Sequence, residues 1–290
     1  MEINFVTGKG GVGKSAVAAA LAIKLSKAGM RTLLVELGDQ SYYQDYFSLP
    51  RVSYEPTPWQ VGGVWASVAQ WGGQECLKEY ALHILKIQSL YRLFFENPVS
   101  KALVNVAPGL PELSILGKIT SGPPRNVGPK LPFDAIVVDA YASGHFMSLL
   151  RAPSGLSAAI RFGPMGEQVR DIDAIIRDSR ICKYHVVALP EELPVVEGIE
   201  LAQNIEKQTG VVPQLIMNRM MPVQAEQCRT QNESLKPFAR YLLEVDERQK
   251  SMFTRLQHAG FPLQSLPWVF STDPNATIAE LSDALAEVLA

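Results

Sequence analysis

The stretch Gly8-Lys9-Gly10-Gly11-Val12-Gly13-Lys14-Ser15 follows a short apolar run at residues 3–7 and precedes an alanine-rich segment that ends near Gly29. It satisfies the pattern G-x-x-x-x-G-K-[ST] in the order strand, loop, helix, which is the first half of a parallel crossover. The glycines let successive backbone N–H groups turn toward a phosphate chain, and the following helix N-terminus adds about half a positive charge. The stretch therefore predicts a phosphate-binding loop.

Two lysines and a serine of this loop have different expected roles. We expect Lys14 to reach the β- and γ-phosphates of a nucleotide and Ser15 to hold Mg²⁺ through its hydroxyl. The other expected contacts of the loop with the nucleotide are Gly8, Gly10, Gly11, Val12, Gly13 and Ala16. Lys9 is not needed for phosphates bound by its own subunit, and its alternative is a solvated lysine in a flexible loop.

Composition limits the classes of protein that fit. The chain has 290 residues, of which 47% are hydrophobic, and a net charge of −2. It can therefore close a sizeable core, and it lacks the basic surplus of nucleic-acid binders, so no nucleic-acid partner is expected. We find no apolar run of about 18 residues and no signal peptide, which predicts a cytoplasmic protein without an integral membrane segment. Cys76, Cys182 and Cys228 form no CxxC pair and support neither disulfides nor a zinc site.

Apolar runs and helical patterns alternate along the chain. Strands are expected at residues 31–37, 135–138, 184–189, 214–217 and 263–270, and helices at 16–27, 195–207, 233–258 and 276–289. Continuous apolar runs are typical of strands buried on both faces of a parallel sheet. The alternation predicts an α/β fold with a mostly parallel sheet covered by helices, in one domain over residues 1–290.

Residues 74–120 break this alternation because they are mainly helical and apolar on more than one side. The apolar positions at helical spacing are Leu77, Ile84, Ile87, Tyr91, Phe94 and Phe95, with Leu82, Leu85, Leu90 and Leu93 off that stripe. We interpret the segment as a helical insertion packed within the domain. The alternative is a dimer surface or a groove for an apolar protein client.

The glycine-rich loop with its extra lysine resembles the deviant Walker A motif of the MinD, ParA, nitrogenase iron protein and ArsA group of P-loop ATPases. The resemblance implies ATP and Mg²⁺ as cofactors. In that group the first lysine crosses a face-to-face dimer and touches the other subunit's nucleotide. Lys9 would then act as an arginine finger does, a role worth about 10³ to 10⁵ in rate, in a homodimer or in a heterodimer with a related ATPase.

Asp139 ends an apolar strand that is similar to a Walker B strand, which implies contact with the water shell of Mg²⁺. Residues 140–145 and 149–153 are similar to the switch II segment of ArsA and of the eukaryotic ATPases that target tail-anchored membrane proteins. By that resemblance, Gly144 lies near the γ-phosphate.

The resemblance extends into the C-terminal half. It implies that Glu191 contacts nucleotide, that Asn218 reads adenine at a strand end, and that Pro267 lies in the loop flanking adenine. An amide suits adenine because it both donates and accepts hydrogen bonds. The alternative for Asn218 is ordinary turn chemistry at the end of a strand.

The segment after the second strand departs from the family pattern. Family members usually place there, in switch I, an aspartate that orients the attacking water, whereas alignment puts Gly38 at that position. Asp39 lies one residue later and Glu36 two residues earlier, and a slip of one residue turns a strand side chain to the opposite face. We take Asp39 as the candidate water-orienting residue, with a turn carboxylate as the alternative, so the efficiency of hydrolysis is open.

These residues together predict an ArsA-like dimeric ATPase whose nucleotide state switches the helical region. Its catalytic candidates are Lys9, Lys14, Asp39 and Asp139, with Ser15 and Asp139 for the metal. One alternative is a hydrolysis-impaired nucleotide-binding adaptor or regulatory subunit, which Gly38 motivates. The other is a MinD- or ParA-like positioning ATPase, which the charge balance and an acidic last helix disfavour.

Overall fold

The computed structural model of the protein describes residues 1–49, 51–85, 109–122, 131–159, 163–224, 228 and 232–285. The strands within these residues are β1 (Glu2–Gly8), β2 (Thr32–Leu37), β3 (Thr57–Val61), β4 (Val64–Trp71), β5 (Ala135–Ala142), β6 (Cys182–Ala188), β7 (Gln214–Met220) and β8 (Leu263–Pro267). The helices are α1 (Lys14–Lys27), α2 (Tyr42–Tyr46), α3 (Gly73–Leu85), α4 (Leu110–Ile119), α5 (Ser143–Ala159), α6 (Gly163–Ile176), α7 (Glu192–Thr209), α8 (Lys236–Gln257) and α9 (Pro274–Ala284).

The strands form one sheet in the order β3-β4-β2-β5-β1-β6-β7-β8. Every neighbouring pair is parallel except β3 and β4, which are antiparallel. This confirms the predicted α/β fold with a mostly parallel sheet. Because β1 lies between β5 and β6, residues from both halves of the chain share the sheet and its core. The carboxyl ends of the parallel strands meet at one edge, where ligands of such sheets bind.

Consecutive side chains of β1 pack on opposite faces of the sheet, in two separate parts of the core. Phe5 packs on one face, with Leu33 and Tyr184 in the same buried cluster, while Val6 packs on the other face with Leu34. Side chains of a strand alternate between the two faces, so helices must cover both sides. This arrangement explains why the predicted strands read as continuous apolar runs.

Two strands, β3 and β4, and three helices, α2, α5 and α6, were not predicted from the sequence. The pair β3 and β4 is a hairpin turned at Gly62-Gly63, whose φ angles are 56° and 82°. Two glycines between alternating residues are a strong hairpin signal, and it was overlooked. Helix α5 contains Gly144 and Pro153, and α6 begins with Gly163-Pro164, and both residue types are typical of turns. Strand β8 also ends at Pro267, three residues earlier than predicted.

Helices α3 and α4 form the described part of the predicted helical insertion at residues 74–120. Leu77 of α3 is buried in the main core, and Lys118 of α4 donates a hydrogen bond of 2.6 Å to Glu79 of α3. The same ammonium lies 3.8 Å from the centre of the Tyr54 ring. This end of the insertion is therefore tied to the sheet. Residues 86–108, which carry Ile87, Leu90, Tyr91, Leu93, Phe94 and Phe95, lie outside the described residues, as do the side chains of Leu82, Ile84 and Leu85. No helix among the described residues is long and apolar enough to cross a membrane.

Candidate functional site

The glycine-rich loop is pressed against two neighbouring strands. Gly8 has a φ of 149°, and a Cβ there would lie 2.3 Å from the carbonyl oxygen of Val187 in β6. Gly13 has a φ of 89°, and a Cβ there would lie 2.4 Å from Nδ2 of Asn218 at the end of β7. Both positions therefore require glycine for backbone conformation and for space.

Lys14 folds back over this loop. Its Nζ donates to the carbonyl oxygen of Lys9 at 3.0 Å. Burial lowers the pKa of Lys14, and the charge of Asp139 opposes that shift. A partly buried ammonium with one neutral acceptor is well placed to receive a phosphate oxygen.

Asp139 lies buried within β5, three residues before the strand ends, and beside the start of α1. Its carboxylate accepts hydrogen bonds from the hydroxyls of Ser15 and Tyr43, the latter at 3.0 Å. Burial raises the pKa of Asp139, and these two bonds and Lys14 oppose that shift. Because a carboxylate and a hydroxyl beside a phosphate loop are hard oxygen ligands, the pair fits Mg²⁺. No group of three or more His, Cys, Asp or Glu side chains in the described residues could hold a metal alone, so a cation here would also need phosphate oxygens.

A cavity of about 550 Å³ lies against the loop. The predicted site residues that line it are Gly11, Gly13, Lys14, Ser15, Ala16, Asn218 and Pro267. Their sequence positions span most of the chain, and the strand order brings them together. The volume is in the range of small-molecule sites in proteins.

Asn218 lies in the cavity wall and is bonded to the phosphate loop. The side chain is buried, and its Nδ2 donates to the carbonyl oxygen of Val12 at 2.9 Å. One of its two amide N–H donors is thus used to hold the phosphate loop. The next residue, Arg219, has a φ of 58°, a strained conformation for a residue other than glycine, and such strain concentrates at functional sites.

Eight predicted site residues lie outside the wall of this cavity, namely Gly8, Gly10, Val12, Asp139, Lys9, Glu191, Gly144 and Asp39. Nζ of Lys9 lies 2.9 Å from Oε1 of Glu197 in α7. Glu191 is the N-cap of α7, and Gly144 lies in the first turn of α5. Asp39 lines a different cavity, of about 440 Å³, together with Gly38 and Glu75. The roles given to these residues stay predictions.

The buried carboxylate nearest to Asp139 along the sheet is Glu36. The two residues pair in register between β2 and β5. The Glu36 carboxylate accepts from Oγ of Ser41 at 2.7 Å and from the backbone N–H of Tyr42 at 2.6 Å. Burial raises the pKa of Glu36. Gly38, which follows β2, has a φ of 142°, so an aspartate at that position would be strained.

Several residues of the site were missed by the sequence analysis. Tyr42, Tyr46, Arg219 and Trp268 line the same cavity as Lys14, and Tyr43 contacts Asp139. The signal for the tyrosines was the aromatic run at residues 42–47 directly after β2, since such positions meet at the ligand edge of a parallel sheet.

A mostly parallel α/β sheet, a glycine-rich loop that opens α1, and a carboxylate on the neighbouring strand bonded to the loop serine define a P-loop NTPase. The chain belongs to the ArsA ATPase family, described as anion-transporting ATPases, and matches it over residues 1–163 and 162–266. The family resemblance carried by the loop is therefore confirmed.

Curated relatives are also named as ATPases. ATPase BagA of Mycobacterium tuberculosis is 30% identical over 236 residues, which cover 78% of this chain and 67% of that protein. A putative arsenical pump-driving ATPase of Halobacterium salinarum is 27% identical over 262 residues, covering 84% of this chain and 39% of that protein. ATPase GET3B of Arabidopsis thaliana is 23% identical over 272 residues, covering 77% and 65%. Family and relatives together support the class of ATPase for this chain.

Proposed function

We propose that this chain binds Mg²⁺ and ATP in the 550 Å³ cavity, hydrolyses ATP as a dimer and thereby switches its helical region. The observation that carries the proposal is the cavity itself, whose wall includes Lys14 and Ser15 of the loop together with Asn218 and Pro267 of the C-terminal half. We assign the loop residues to the phosphates of one nucleotide and Asn218 and Pro267 to its base.

Phosphoryl transfer depends mainly on positioning and on stabilising charge, and the loop residues provide both. In the proposal, the backbone N–H groups of the loop and the Lys14 ammonium receive the phosphates. Ser15 and Asp139 would hold Mg²⁺, which supplies charge neutralisation at the phosphates when it is bound. We assign Asn218 to the base, and its amide also holds the loop through the carbonyl oxygen of Val12.

Dimer formation enters the proposal through Lys9. In the single chain this lysine is paired with Glu197, and each side chain is about a third exposed. Ion pairs of this exposure contribute at most about 1 kcal/mol, so their opening costs little compared with a gain of about 10³ or more in rate. We assign Lys9 to the nucleotide of the other subunit in the closed dimer.

A backbone route leads from the switch I segment to the helical region. The N–H of Gly38 donates to the carbonyl oxygen of Trp71 at 3.3 Å, and Nε2 of Gln70 donates to the carbonyl oxygen of Gly38 at 3.1 Å. Helix α3 begins two residues after Trp71, at Gly73. A movement of switch I on nucleotide binding would thus reach α3 directly. We propose an apolar protein segment as the client of residues 74–120.

A metalloid substrate is not part of the proposal, although one relative is named as an arsenical pump-driving ATPase. Cys76 and Cys182 are buried, and burial raises the pKa of Cys76 to about 12. Burial also raises the pKa of Cys182. Soft metalloids bind thiolates, and these two thiols stay protonated at neutral pH.

The test is the substitution Lys14→Ala, followed by calorimetric ATP binding, phosphate release and sedimentation with and without ATP. We expect ATP binding and turnover to be lost. Lys250→Ala, at an exposed lysine of α8 paired with Asp246, is the matched control and should behave as wild type. Unchanged ATP binding in Lys14→Ala would contradict the proposal.

A second candidate function is a nucleotide-binding regulatory subunit that hydrolyses slowly. It is favoured by Gly38 at the position of the usual aspartate and by Asp39, which lines the other cavity. Turnover of the purified protein, alone and with a candidate partner, separates the two functions. Robust turnover alone that is lost in Asp39→Asn supports the first function, and negligible turnover that a partner stimulates supports the second.

A further inference from the structure

Helix α2 is fastened to the carboxyl ends of two strands at the candidate metal site. At its start, Oγ of Ser41 and the N–H of Tyr42 both donate to the Glu36 carboxylate at the end of β2. One residue later, the hydroxyl of Tyr43 lies 2.9 Å from the carbonyl oxygen of Ser15 and 3.0 Å from Oδ2 of Asp139. The Tyr43 side chain is fully buried.

We propose that Tyr43 is a positioning residue that couples the metal site at Ser15 and Asp139 to the wall of the nucleotide cavity. The proposal rests on the proposed function, because it takes the cavity as the ATP site. It adds a residue of this chain that links the affinity for Mg²⁺ to the affinity for nucleotide.

The phenol of Tyr43 has one proton and two acceptors within reach. A carboxylate is the stronger acceptor while it is ionised and uncompensated, so the proton is given to Asp139. A cation that shares the charge of Asp139 would weaken this bond and favour donation to the carbonyl oxygen of Ser15. In either arrangement the hydroxyl lies between Asp139 and the backbone of Ser15 and holds these two candidate ligands together. We therefore expect its loss to loosen the metal site and to weaken Mg²⁺ binding.

The neighbours of Tyr43 connect it to the cavity wall. The rings of Tyr42 and Tyr46 stack with their centres 4.9 Å apart, and both line the cavity. Tyr43 itself stacks on Phe47 at 5.8 Å with nearly parallel planes. Because these residues belong to one short helical turn, a displacement of Tyr43 moves the cavity wall with it.

The test removes only the hydroxyl, with Tyr43→Phe. The affinity for ATP is measured by calorimetry in Mg²⁺ and in EDTA. The coupling is the dissociation constant in EDTA divided by the dissociation constant in Mg²⁺. We expect the ratio to fall by about fivefold or more in the variant, mostly through weaker binding in Mg²⁺. Hydrogen exchange of residues 42–47 should speed up in the variant, a readout that does not depend on turnover.

Tyr184→Phe is the matched control. Tyr184 is also buried, and its hydroxyl donates to the carbonyl oxygen of Ile176 at 2.6 Å, away from the cavity. It should lose comparable stability and keep the wild-type ratio. Ser41→Ala loosens α2 from Glu36 and should lower the ratio in the same direction, which keeps the test valid if Tyr43→Phe folds poorly.

An unchanged ratio in both Tyr43→Phe and Ser41→Ala would overturn the inference. The proposed function would not be affected by that result, provided that the wild-type protein binds ATP. A wild type that bound no ATP would instead remove the proposed function, and the inference with it. A ratio that fell equally in Tyr184→Phe would show a general loss of stability and would also overturn the inference.

Discussion

Lys9 and Glu197 form an ion pair of 2.9 Å that holds the extra lysine of the phosphate loop against helix α7 of its own chain. The sequence predicts that Lys9 contacts another subunit, whereas in the fold its side chain is paired with a carboxylate of the same chain. The two side chains are 188 residues apart in the chain. Closing a dimer through Lys9 therefore requires that this pair open first.

Lys9→Ala should lower the turnover number by about 10³ or more while changing ATP affinity by less than about threefold, because in the proposed dimer the lysine would act on the other subunit's nucleotide in the transition state. Glu197→Gln should favour the ATP-bound dimer by up to about fivefold, since a pair worth at most about 1 kcal/mol no longer needs to open. Phosphate release and sedimentation with ATP measure the two effects. Normal turnover in Lys9→Ala would show that the lysine serves only its own chain.

Gly13→Ala should weaken ATP binding by about tenfold or more, because the new methyl group would meet Nδ2 of Asn218 at 2.4 Å. Gly29→Ala is the matched control, since Gly29 has a similar φ of 86° and no atom within 4 Å of an added Cβ. Both variants carry the backbone strain, and only Gly13→Ala carries the clash. Calorimetry and thermal unfolding of the two proteins measure the difference. If the two variants lost equal ATP affinity and equal stability, backbone strain alone would explain the requirement for glycine at position 13.

Asn218→Ala should weaken the binding of inorganic tripolyphosphate as well as of ATP, because the amide holds the loop through the Val12 carbonyl oxygen. Loss of one hydrogen bond predicts about a two- to tenfold effect on tripolyphosphate. Trp268→Ala, which removes a ring from the cavity wall next to Pro267 and no bond to the loop, should affect ATP alone. If Asn218→Ala left tripolyphosphate binding unchanged, the residue would serve the base only.

Acid should destabilise the fold through His185, which is buried between Asn4 and Gln214. Burial lowers the pKa of His185 from 6.5 to about 4. Between these values the unfolded chain binds the proton and the native state does not, so stability is complete above pH 6.5 and falls toward pH 4. The loss over that window is about 3 kcal/mol.

Urea unfolding of the wild type and of His185→Gln across this pH range tests the contribution. The variant should be less stable at neutral pH and should show a shallower dependence on pH. The contributions of Glu36 and Asp139 to the pH dependence are the same in both proteins and cancel in the comparison. Their raised pKa values change stability in the direction opposite to that of His185. If the free energy of unfolding depended on pH equally in the two proteins, His185 would be excluded as the source of the loss of stability in acid.

Local patterns were sufficient for much of the fold and for the phosphate end of the site. A glycine-rich loop between a strand and a helix is encoded by neighbouring residues, so Lys14 and Ser15 could be assigned from spacing alone. The buried parallel strands could be read from apolar runs. The hairpin of β3 and β4 was equally local, at Gly62-Gly63, and was missed through oversight rather than for lack of a signal.

The sequence by itself determined the class of this protein, because the loop motif and the strand pattern depend on residues close together in the chain. Only the tertiary structure decided how distant groups meet. The bond between Asn218 and Val12 joins residues 206 positions apart, and Tyr43 lies 96 positions from Asp139. Strand order and register create these contacts, and a one-residue change of register would point each side chain to the other face. For that reason Glu36 faces the metal site and Asp39 the other cavity, a difference that the spacing of the two carboxylates did not reveal.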